Sequence, residues 1–243
     1  MKNKLMRIQK YIANNSSLSR RSVEKLIKEE KILVNGTKAI LGQKINDGKN
    51  EIEVDGLPLN FNNQEITIIF NKPNGIIVTK KDPQKRQTIY EILPTKYRDL
   101  NHIGRLDKNS EGLLLLTSNG ELCYRLSHPS YEIEKEYLVD ITGVPSKQAI
   151  GNVLAGITTD NIFIKPKLIK INNQISQNNC QLIIILTEGK KREIRKLIKY
   201  LGFEVVRLNR IRIANIHLND LRGSSERILQ KDELQILKKM VGL

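Results

Sequence analysis

Apolar residues near the N-terminus recur at two different spacings. Every third or fourth position is apolar over residues 4–13 and again after Ser19, which predicts two short helices, with Ser19 as the N-cap of the second. Residues 31–34 and 52–57 contain short apolar runs, which predict strands. The helical apolar positions are Leu5, Ile8, Ile12, Val23, Leu26 and Ile27. The pattern therefore predicts a small α+β domain.

This first domain is expected to span residues 1–59. Asn35-Gly36 follows the first strand, and Asn-Gly is a strong signal for a tight turn between strands. The polar residues 60–64 predict a linker. The second domain is then expected to span residues 65–243.

The second domain contains more strand-like than helix-like segments. Alternating or short apolar runs predict strands at residues 65–70, 113–117, 137–142, 181–187 and over 205–218. Helical spacing predicts helices over residues 119–126 and 190–201. We therefore expect an α+β fold whose mixed, mainly antiparallel sheet is flanked by helices.

Charge narrows the set of partners. The chain of 243 residues has 41 Lys and Arg against 26 Asp and Glu, a formal charge of +15. Residues 1–58 hold 12 Lys and Arg against 7 acids, and residues 59–243 hold 29 against 19. Because both parts are basic, an anionic partner such as nucleic acid is expected to touch both.

Several function classes lack their sequence signals. The chain has no P-loop, no Gly-x-Gly-x-x-Gly after a strand, no Gly-x-Ser-x-Gly and no His-x-x-x-His, so we expect neither cofactor nor metal. Cys123 and Cys180 are the only cysteines, which indicates no disulfide framework. Without a long apolar run or a signal-like start, we expect no membrane association and a cytoplasmic location.

The first candidate interface is the predicted helix pair. Rigidly held cations can contact several phosphates at once, although such a face is also compatible with simple solvation. The order of Ser19-Arg20-Arg21, Val34-Asn35-Gly36 and Val54-Asp55-Gly56 resembles the S4-type RNA-binding domain, apart from residues 14–17, where a glycine is common. The resemblance implies that the RNA-binding residues are Arg7, Lys10, Ser19, Arg20, Arg21, Lys25 and Lys28.

The second candidate site is Gly104-Arg105-Leu106-Asp107, in which a glycine-bounded loop precedes an apolar strand. Such a loop can hold a carboxylate rigidly, although an aspartate in a turn is usually structural. Residues 104–117 as a whole resemble the motif of ribosomal RNA pseudouridine synthases of the RsuA/RluB family. The resemblance implies that Asp107 is the catalytic residue.

Two further segments match this family. Lys135-Glu136-Tyr137 begins a predicted strand, and the resemblance implies that Tyr137 contacts the target base, whereas composition alone also allows a core tyrosine. The segment 188–197 resembles the third family motif, in which Arg195 would pair with Asp107 and keep it ionised. The resemblance places further substrate contacts at Arg105, Leu106, Arg192 and Lys196.

The implied reaction isomerises a uridine within RNA without adding an atom. Asp107 would act either as the nucleophile or as the base of a glycal route, on a base flipped out of its stack. Tyr137 would stack on that base and assist removal of its carbon-5 proton. Arg105 would help to extrude the base or contact a phosphate.

The expected partner is ribosomal RNA or a pre-ribosomal particle. Arg192-Glu193-Ile194-Arg195 favours 23S over 16S RNA, and we expect a monomer. A non-catalytic RNA-binding assembly factor is the alternative, but it leaves the three motifs of the second domain unexplained. A tRNA synthetase would need a nucleotide-binding signature, and a membrane-surface protein would need aromatic anchors.

Overall fold

A computed structural model describes residues 5–16, 18–46, 49–59, 65–176, 178–221, 223 and 225–243 of the protein. The chain divides into two compact units, one comprising Met1–Ile66 with Ser118–Glu121 and the other Thr67–Thr117 with Leu122–Leu243. The linker predicted at residues 60–64 lies outside the described residues. Each unit is therefore considered separately below.

In its described residues, the first unit contains two helices and six short strands. Its four-stranded sheet has the order β3-β2-β5-β6, and β1 pairs with β4. The elements are β1 (Leu5–Arg7), α1 (Ile8–Asn14), α2 (Arg20–Lys28), β2 (Ile32–Val34), β3 (Thr37–Lys38), β4 (Lys44–Asn46), β5 (Ile52–Val54) and β6 (Leu57–Pro58).

Local signals account for much of this unit. The Ser19 hydroxyl accepts a hydrogen bond from the Ser22 backbone N–H at 3.1 Å, which confirms the predicted N-cap. Asn35 and Gly36 have φ values of 49° and 77°, as a tight turn between β2 and β3 requires. The apolar faces of both helices meet the strands in one core, which includes Ile8, Ile12, Val23, Ile27, Ile32 and Ile52.

The first helix begins later than its apolar spacing predicts. Leu5–Arg7 forms strand β1, with Met6 opposite Ile45 of β4, and α1 begins at Ile8. Ile8 is fully buried, whereas Leu5 is 62% exposed. The helical spacing of Leu5 is thus accidental, because backbone pairing with β4 determines its conformation.

The second unit is built on one mixed sheet with helices between its strands. Its elements are β7 (Thr67–Lys72), α3 (Ile89–Ile92), β8 (Asn101–Ile103), β9 (Glu111–Thr117), α4 (Gly120–Ser127), β10 (Lys135–Thr142), α5 (Lys147–Ala155), β11 (Ile157–Thr159), β12 (Ile162–Ile164), β13 (Leu168–Ser176), β14 (Asn179–Leu186), α6 (Glu193–Tyr200), β15 (Val205–Ile213), β16 (Ile216–His217), β17 (Glu226–Ile228) and α7 (Lys231–Met240).

The nine-stranded sheet has the order β13-β14-β10-β15-β9-β7-β17, with β16 beside β15 and β8 beside β9. Its strands pair antiparallel except β15 and β9, which run parallel. This confirms the predicted α+β fold with a mixed, mainly antiparallel sheet. Each of the five predicted strand regions of this unit contains a strand.

Two predicted elements differ in their bounds. Arg192 has a positive φ of 54°, so α6 begins only at Glu193 instead of residue 190. The alternating stretch 205–218 is interrupted at Ala214, which has a φ of 52° and separates β15 from β16. Backbone turns at these two positions are invisible to a pattern of apolar residues.

Candidate active site

A cleft of about 650 Å³ opens in the second unit. Its walls come from five parts of the chain, namely the segment 77–86, the loop 104–110, the strand carrying Tyr137, the segment 186–195, and Leu208 on β15. Of the predicted substrate and catalytic residues, it is lined by Asp107, Tyr137, Arg195, Arg105, Leu106 and Arg192. Residues chosen from three separate motifs are therefore brought together in one place.

Asp107 lies on a loop whose backbone is held at both ends. Gly104 has a φ of 66°, and its N–H donates to the Ser127 hydroxyl at 3.0 Å. The Ser110 N–H donates to the Asp107 carbonyl oxygen at 3.1 Å. Leu106 is only 7% exposed, whereas Arg105 and Asp107 are exposed, and all three line the cleft. The loop thus places one largely buried apolar side chain between two exposed charged ones.

Lys72, at the end of β7, supports this loop from beneath. Its side chain is fully buried, and its Nζ donates to the carbonyl oxygens of Ser110 at 2.7 Å, Pro73 at 3.0 Å and Lys108 at 3.4 Å. Burial lowers the pKa of Lys72 to about 8, although the charges of Asp107 and Glu111 act to raise it. A buried ammonium group therefore anchors the Asp107 loop at Lys108 and Ser110 to the end of β7.

Gly112 lies where β9 meets the parallel strand β15. It has a φ of 98°, and a Cβ atom there would lie 2.1 Å from Asn209 Oδ1 and 2.4 Å from the Arg210 carbonyl oxygen. Arg210 itself is 2% exposed, and its Nε donates to the Leu113 carbonyl oxygen at 2.7 Å. Only glycine allows this close approach, which connects the Asp107 loop to the central strand.

Tyr137 lies on β10 in the middle of the sheet, opposite Ile184 of β14 and Arg210 of β15. It is 7% exposed, and the exposed part of its surface lines the cleft. Leu186 and Leu208, from the neighbouring strands, line the cleft as well. Together they form a largely apolar floor, which suits the face of a flat base.

Helix α6 and the turn before it form the opposite wall. Arg195 Nη2 donates to the Asn109 carbonyl oxygen at 2.6 Å, two residues beyond Asp107. Burial lowers the pKa of Arg195, the charge of Arg192 lowers it further, and the charge of Asp107 acts to raise it. The predicted ion pair between Arg195 and Asp107 is not present in this structure, because the guanidinium binds the backbone of the Asp107 loop instead. Arg195 therefore interacts with the Asp107 carboxylate only by longer-range electrostatic attraction.

Of the two predicted substrate contacts Arg192 and Lys196, only Arg192 lines the cleft. Arg192 precedes α6 in the left-handed conformation and is exposed in the cleft wall. Lys196 lies within the helix but outside the cleft, and it forms an ion pair with Asp160 at 3.3 Å. Because Arg192 has a positive φ and lies outside α6, its side chain is not aligned along the helix with that of Lys196.

Basic residues dominate the cleft wall. Among the lining residues, eight are Lys or Arg and three are Asp or Glu, so the site attracts an anion.

The acidic residues that line the cleft differ in their hydrogen-bond partners. Asp82 accepts two hydrogen bonds from the Arg86 guanidinium, which hold the pKa of its carboxyl at about 2. Glu193 accepts from the Lys190 N–H at 2.9 Å, and burial raises the pKa of its carboxyl.

The Asp107 carboxylate is different from both. Within the part of the chain that the structure describes, its side chain forms neither a hydrogen bond nor an ion pair. It lies exposed in the cleft beside Arg105, above the buried cation of Lys72. It is therefore the lining acid whose oxygen atoms are available to a bound molecule.

The predicted RNA-binding cations of the first unit differ in their availability. Arg7, Ser19, Arg20, Arg21, Lys25 and Lys28 are exposed. Lys25 lies 3.5 Å from Glu29, and Ser19 uses its hydroxyl for the helix cap. Lys10 forms an ion pair at 2.6 Å with Glu121, which lies in the first turn of α4 and, unlike residues 122–127 of that helix, belongs to the first unit. The ammonium group of Lys10 is thus engaged within the protein, unlike the other predicted RNA-binding cations, which are exposed.

Sequence reasoning missed the structural cations of the site and one of its walls. Lys72 and Arg210 are named by none of the motifs above, and the segment 77–86 gave no functional signal. The position of Lys72 before Pro73, at the end of a strand, was the available clue. Arg210 occurs within an alternating apolar strand, where a charged residue at a buried position is the signal.

Two observations concern metals and membranes. Among the residues placed by the structure, no three His, Cys, Asp or Glu side chains are grouped as a metal site would require. No helix in the described ranges has the length and apolar character needed to cross a bilayer.

Comparison with known proteins adds independent observations. The RNA pseudouridylate synthase family matches residues 66–200, which include Asp107, Tyr137 and Arg195. Ribosomal large subunit pseudouridine synthase B of Bacillus subtilis (strain 168) is 34% identical over 236 residues, covering 96% of this chain and 95% of that protein. Its namesake from Vibrio vulnificus (strain CMCP6) is 34% identical over 245 residues, covering 98% and 76%.

A solved structure supports the same assignment. The crystal structure of a pseudouridylate synthase matches with a TM-score of 0.65 and 26% identity, and covers 96% of this chain and 99% of its own. The likeness thus extends well beyond the residues that line the cleft. The chain belongs to the RNA pseudouridylate synthase family and is an RNA pseudouridine synthase, which confirms what the residues around Asp107 predicted.

Proposed function

We propose that this protein isomerises one uridine of large-subunit ribosomal RNA to pseudouridine, with Asp107 as the catalytic residue. The observation that carries the proposal is the Asp107 carboxylate, which is exposed in a basic cleft and has no partner among the described residues. The names of the full-length relatives point to the large subunit as the source of the RNA.

The cleft walls suggest how the target uridine is held. An extruded base would lie on the apolar floor around Tyr137, while the cations of the walls neutralise the flanking phosphates. Asp107 would then act on the ribose and start cleavage of the bond between base N1 and ribose C1′. The base rotates, its carbon 5 joins C1′, and the carbon-5 proton is lost to solvent.

The other residues would position these groups. Lys72 and Arg195 hold the backbone around Asp107 through the carbonyl oxygens of Ser110 and Asn109. Arg105, exposed next to Asp107, is placed to contact a phosphate or to take the position that the extruded base leaves.

We further infer that the first unit acts as an S4-type RNA-binding domain. Arg7, Arg20, Arg21 and Lys28 are exposed, and the salt bridges of the described residues include none of them. Cations in this state can exchange their counterions for RNA phosphates. This unit would add affinity for the RNA and leave the chemistry to the second unit.

Tritium release tests the main proposal. Purified protein is incubated with protein-free 23S and 16S transcripts that carry tritium at carbon 5 of uridine, with Asp107→Asn as the inactive control. We expect release to water from 23S RNA only. If transcripts give none, immature large-subunit particles labelled in the same way are tested. Release from 16S alone would contradict the proposed RNA, and no release from any substrate would contradict the activity.

A further inference from the structure

A group of three rings, two of them exposed and the third packed against the core, lies next to the attachment point of the Asp107 loop. Tyr124 on α4, His128 just after it and Tyr131 in the following turn form what we call the aromatic ledge. The ring centroids of Tyr124 and His128 are 5.1 Å apart, and those of Tyr124 and Tyr131 are 6.3 Å apart. The two tyrosine rings are nearly perpendicular, at 83°.

Tyr124 does not behave as a core residue. Helix α4 buries Leu122 and Leu126, whereas Tyr124 is 50% exposed. The tyrosines of the core, such as Tyr90 and Tyr97, are 7% and 5% exposed. The structure shows no hydrogen bond to the Tyr124 hydroxyl from any residue that it describes. A large apolar ring left in water without a polar partner is available to a ligand.

The other members of the ledge are fixed in place. The Ser130 N–H donates to His128 Nδ1 at 3.2 Å, which leaves the Nε2 edge of that ring facing away from the turn. The Arg125 guanidinium lies 5.7 Å from the Tyr131 ring centroid and is held by hydrogen bonds to the carbonyl oxygens of Val241 and Gly242. The ledge is therefore a rigid surface, which loses little conformational entropy on binding.

One hydrogen bond connects the ledge to the cleft. Ser127, the last residue of α4, accepts a hydrogen bond from the Gly104 N–H at 3.0 Å and donates to the Cys123 carbonyl oxygen at 2.7 Å. Gly104 lines the cleft three residues before Asp107, and His128 directly follows Ser127. The ledge thus begins where the Asp107 loop is attached to α4.

We propose that the aromatic ledge stacks the base of a nucleotide that neighbours the target uridine in the same RNA. This inference rests on the proposed function. When the target uridine leaves its stack, the adjacent bases lose a stacking partner, and an exposed tyrosine ring replaces it. Because every base has an aromatic face, the ledge would strengthen binding of unpaired RNA without reading its sequence.

Binding measurements test the ledge independently of catalysis. The dissociation constant for a labelled single-stranded RNA oligonucleotide of mixed sequence is measured for Tyr124→Ala, Tyr124→Phe and the unchanged protein. We expect Tyr124→Ala to weaken binding by roughly 5- to 100-fold, as the loss of one base–aromatic stack does. Tyr124→Phe keeps the ring and should bind nearly as the unchanged protein does.

Tyr200→Ala is the matched control, since Tyr200 is 53% exposed and also lies on a helix of the second unit. We expect it to bind RNA normally. Thermal unfolding of all variants checks that each of them folds. Equal weakening by Tyr124→Ala and Tyr200→Ala, or no weakening by Tyr124→Ala, would overturn the proposal and leave the ledge as a surface for a protein.

Steady-state kinetics then locate the stacked nucleotide. On the RNA that releases tritium, Tyr124→Ala should raise KM and leave kcat unchanged. Abasic nucleotides are placed one at a time around the target uridine, and one position should abolish the difference between Tyr124→Ala and the unchanged protein. If no position does so, the stacked base is not a neighbour of the target. If the unchanged protein binds through Tyr124 but isomerises no RNA, the proposed function fails while the ledge stands.

Discussion

The cations of helix α2 and those beneath the cleft are held in opposite ways. Arg20, Arg21 and Lys28 are exposed to solvent, whereas Lys72 and Arg210 are 0% and 2% exposed. Each buried cation donates hydrogen bonds to backbone carbonyl oxygens in or next to the Asp107 loop. Exposed cations attract a polyanion, and salt screens them, whereas buried cations shape the protein and are screened much less.

This difference assigns separate tasks to chemically similar residues. A cation that must release counterions to RNA has to be exposed, and its exact position matters little. A cation that positions a catalytic carboxylate has to be rigid, because small displacements at a reacting centre reduce the rate strongly.

The largest effect is expected at Asp107. Asp107→Asn keeps the shape of the side chain but removes the carboxylate, so tritium release should fall below detection while RNA affinity stays close to that of the unchanged protein. Asp82→Asn is the matched control, because Asp82 lines the same cleft but is bound to Arg86. Comparable turnover by the two variants would contradict the assignment of Asp107.

Gly112 tests how tightly the cleft floor is packed. Gly112→Ala would place a methyl group 2.1 Å from Asn209 Oδ1 at a φ of 98°, and it should lower the free energy of unfolding by about 3 kcal/mol or more. Gly36→Ala is the control, since a Cβ there meets nothing within 4 Å at a φ of 77°. Its loss should be only about 1–2 kcal/mol, from the backbone alone. Urea unfolding of both variants checks this, and equal losses would argue against a tightly packed floor.

Lys72→Met tests whether a buried cation affects the reaction rate. Lys72→Met leaves the carbonyl oxygens of Ser110 and Pro73 without their donor, so the loop shifts and kcat should fall roughly 100-fold. The loss should persist at high salt, because the interaction is buried. Lys28→Met, on the exposed face of α2, should leave kcat unchanged. If high salt lowers the kcat of the unchanged protein as much as Lys72→Met does, Lys72 would instead contact the RNA.

The lowered pKa values of two buried lysines predict how kcat and folding stability change with pH. Burial, together with the charge of nearby Arg210, lowers the pKa of Lys72 and of Lys135 to about 8, below the ordinary 10.5. As pH rises through about 8, Lys72 loses the charge that attracts Asp107, so kcat should fall. Between about 8 and 10.5 the unfolded chain binds more protons at these lysines, so their contribution to stability rises. A kcat that stays constant through this window, measured together with the melting temperature, would contradict the role of Lys72.

The smallest effect is expected in the first unit. Arg20→Ala combined with Arg21→Ala should leave kcat unchanged and reduce the slope of log affinity against log salt by roughly 2, because each exposed cation neutralises one phosphate. Lys38→Ala is the control, since Lys38 is engaged by Glu30 at 2.5 Å within the same unit. An unchanged slope, measured by RNA binding at several salt concentrations, would exclude α2 from the interface.

Local sequence signals accounted for elements whose conformation depends on near neighbours. The Ser19 cap and the Asn35-Gly36 turn are examples, since each involves atoms only a few residues apart. The predicted strand regions also agree with the observed strands, because alternation of apolar and polar residues indicates which side chains face the core. The start of α6 at Glu193 and the strand at Leu5 did not follow, since a positive φ and a pairing with β4 leave no apolar signature.

By itself, the sequence determined the family, the mixed sheet and the identity of the cleft residues Asp107 and Tyr137, because contiguous motifs carry that information. The sequence also identified Arg195, but only the tertiary structure shows that its guanidinium donates to the Asn109 carbonyl oxygen, 86 residues away. Tertiary structure alone revealed the supporting cations Lys72, which reaches the Ser110 carbonyl oxygen across 38 residues, and Arg210, which reaches that of Leu113 across 97. Their roles depend on burial and on partners distant in the chain, and folding creates both.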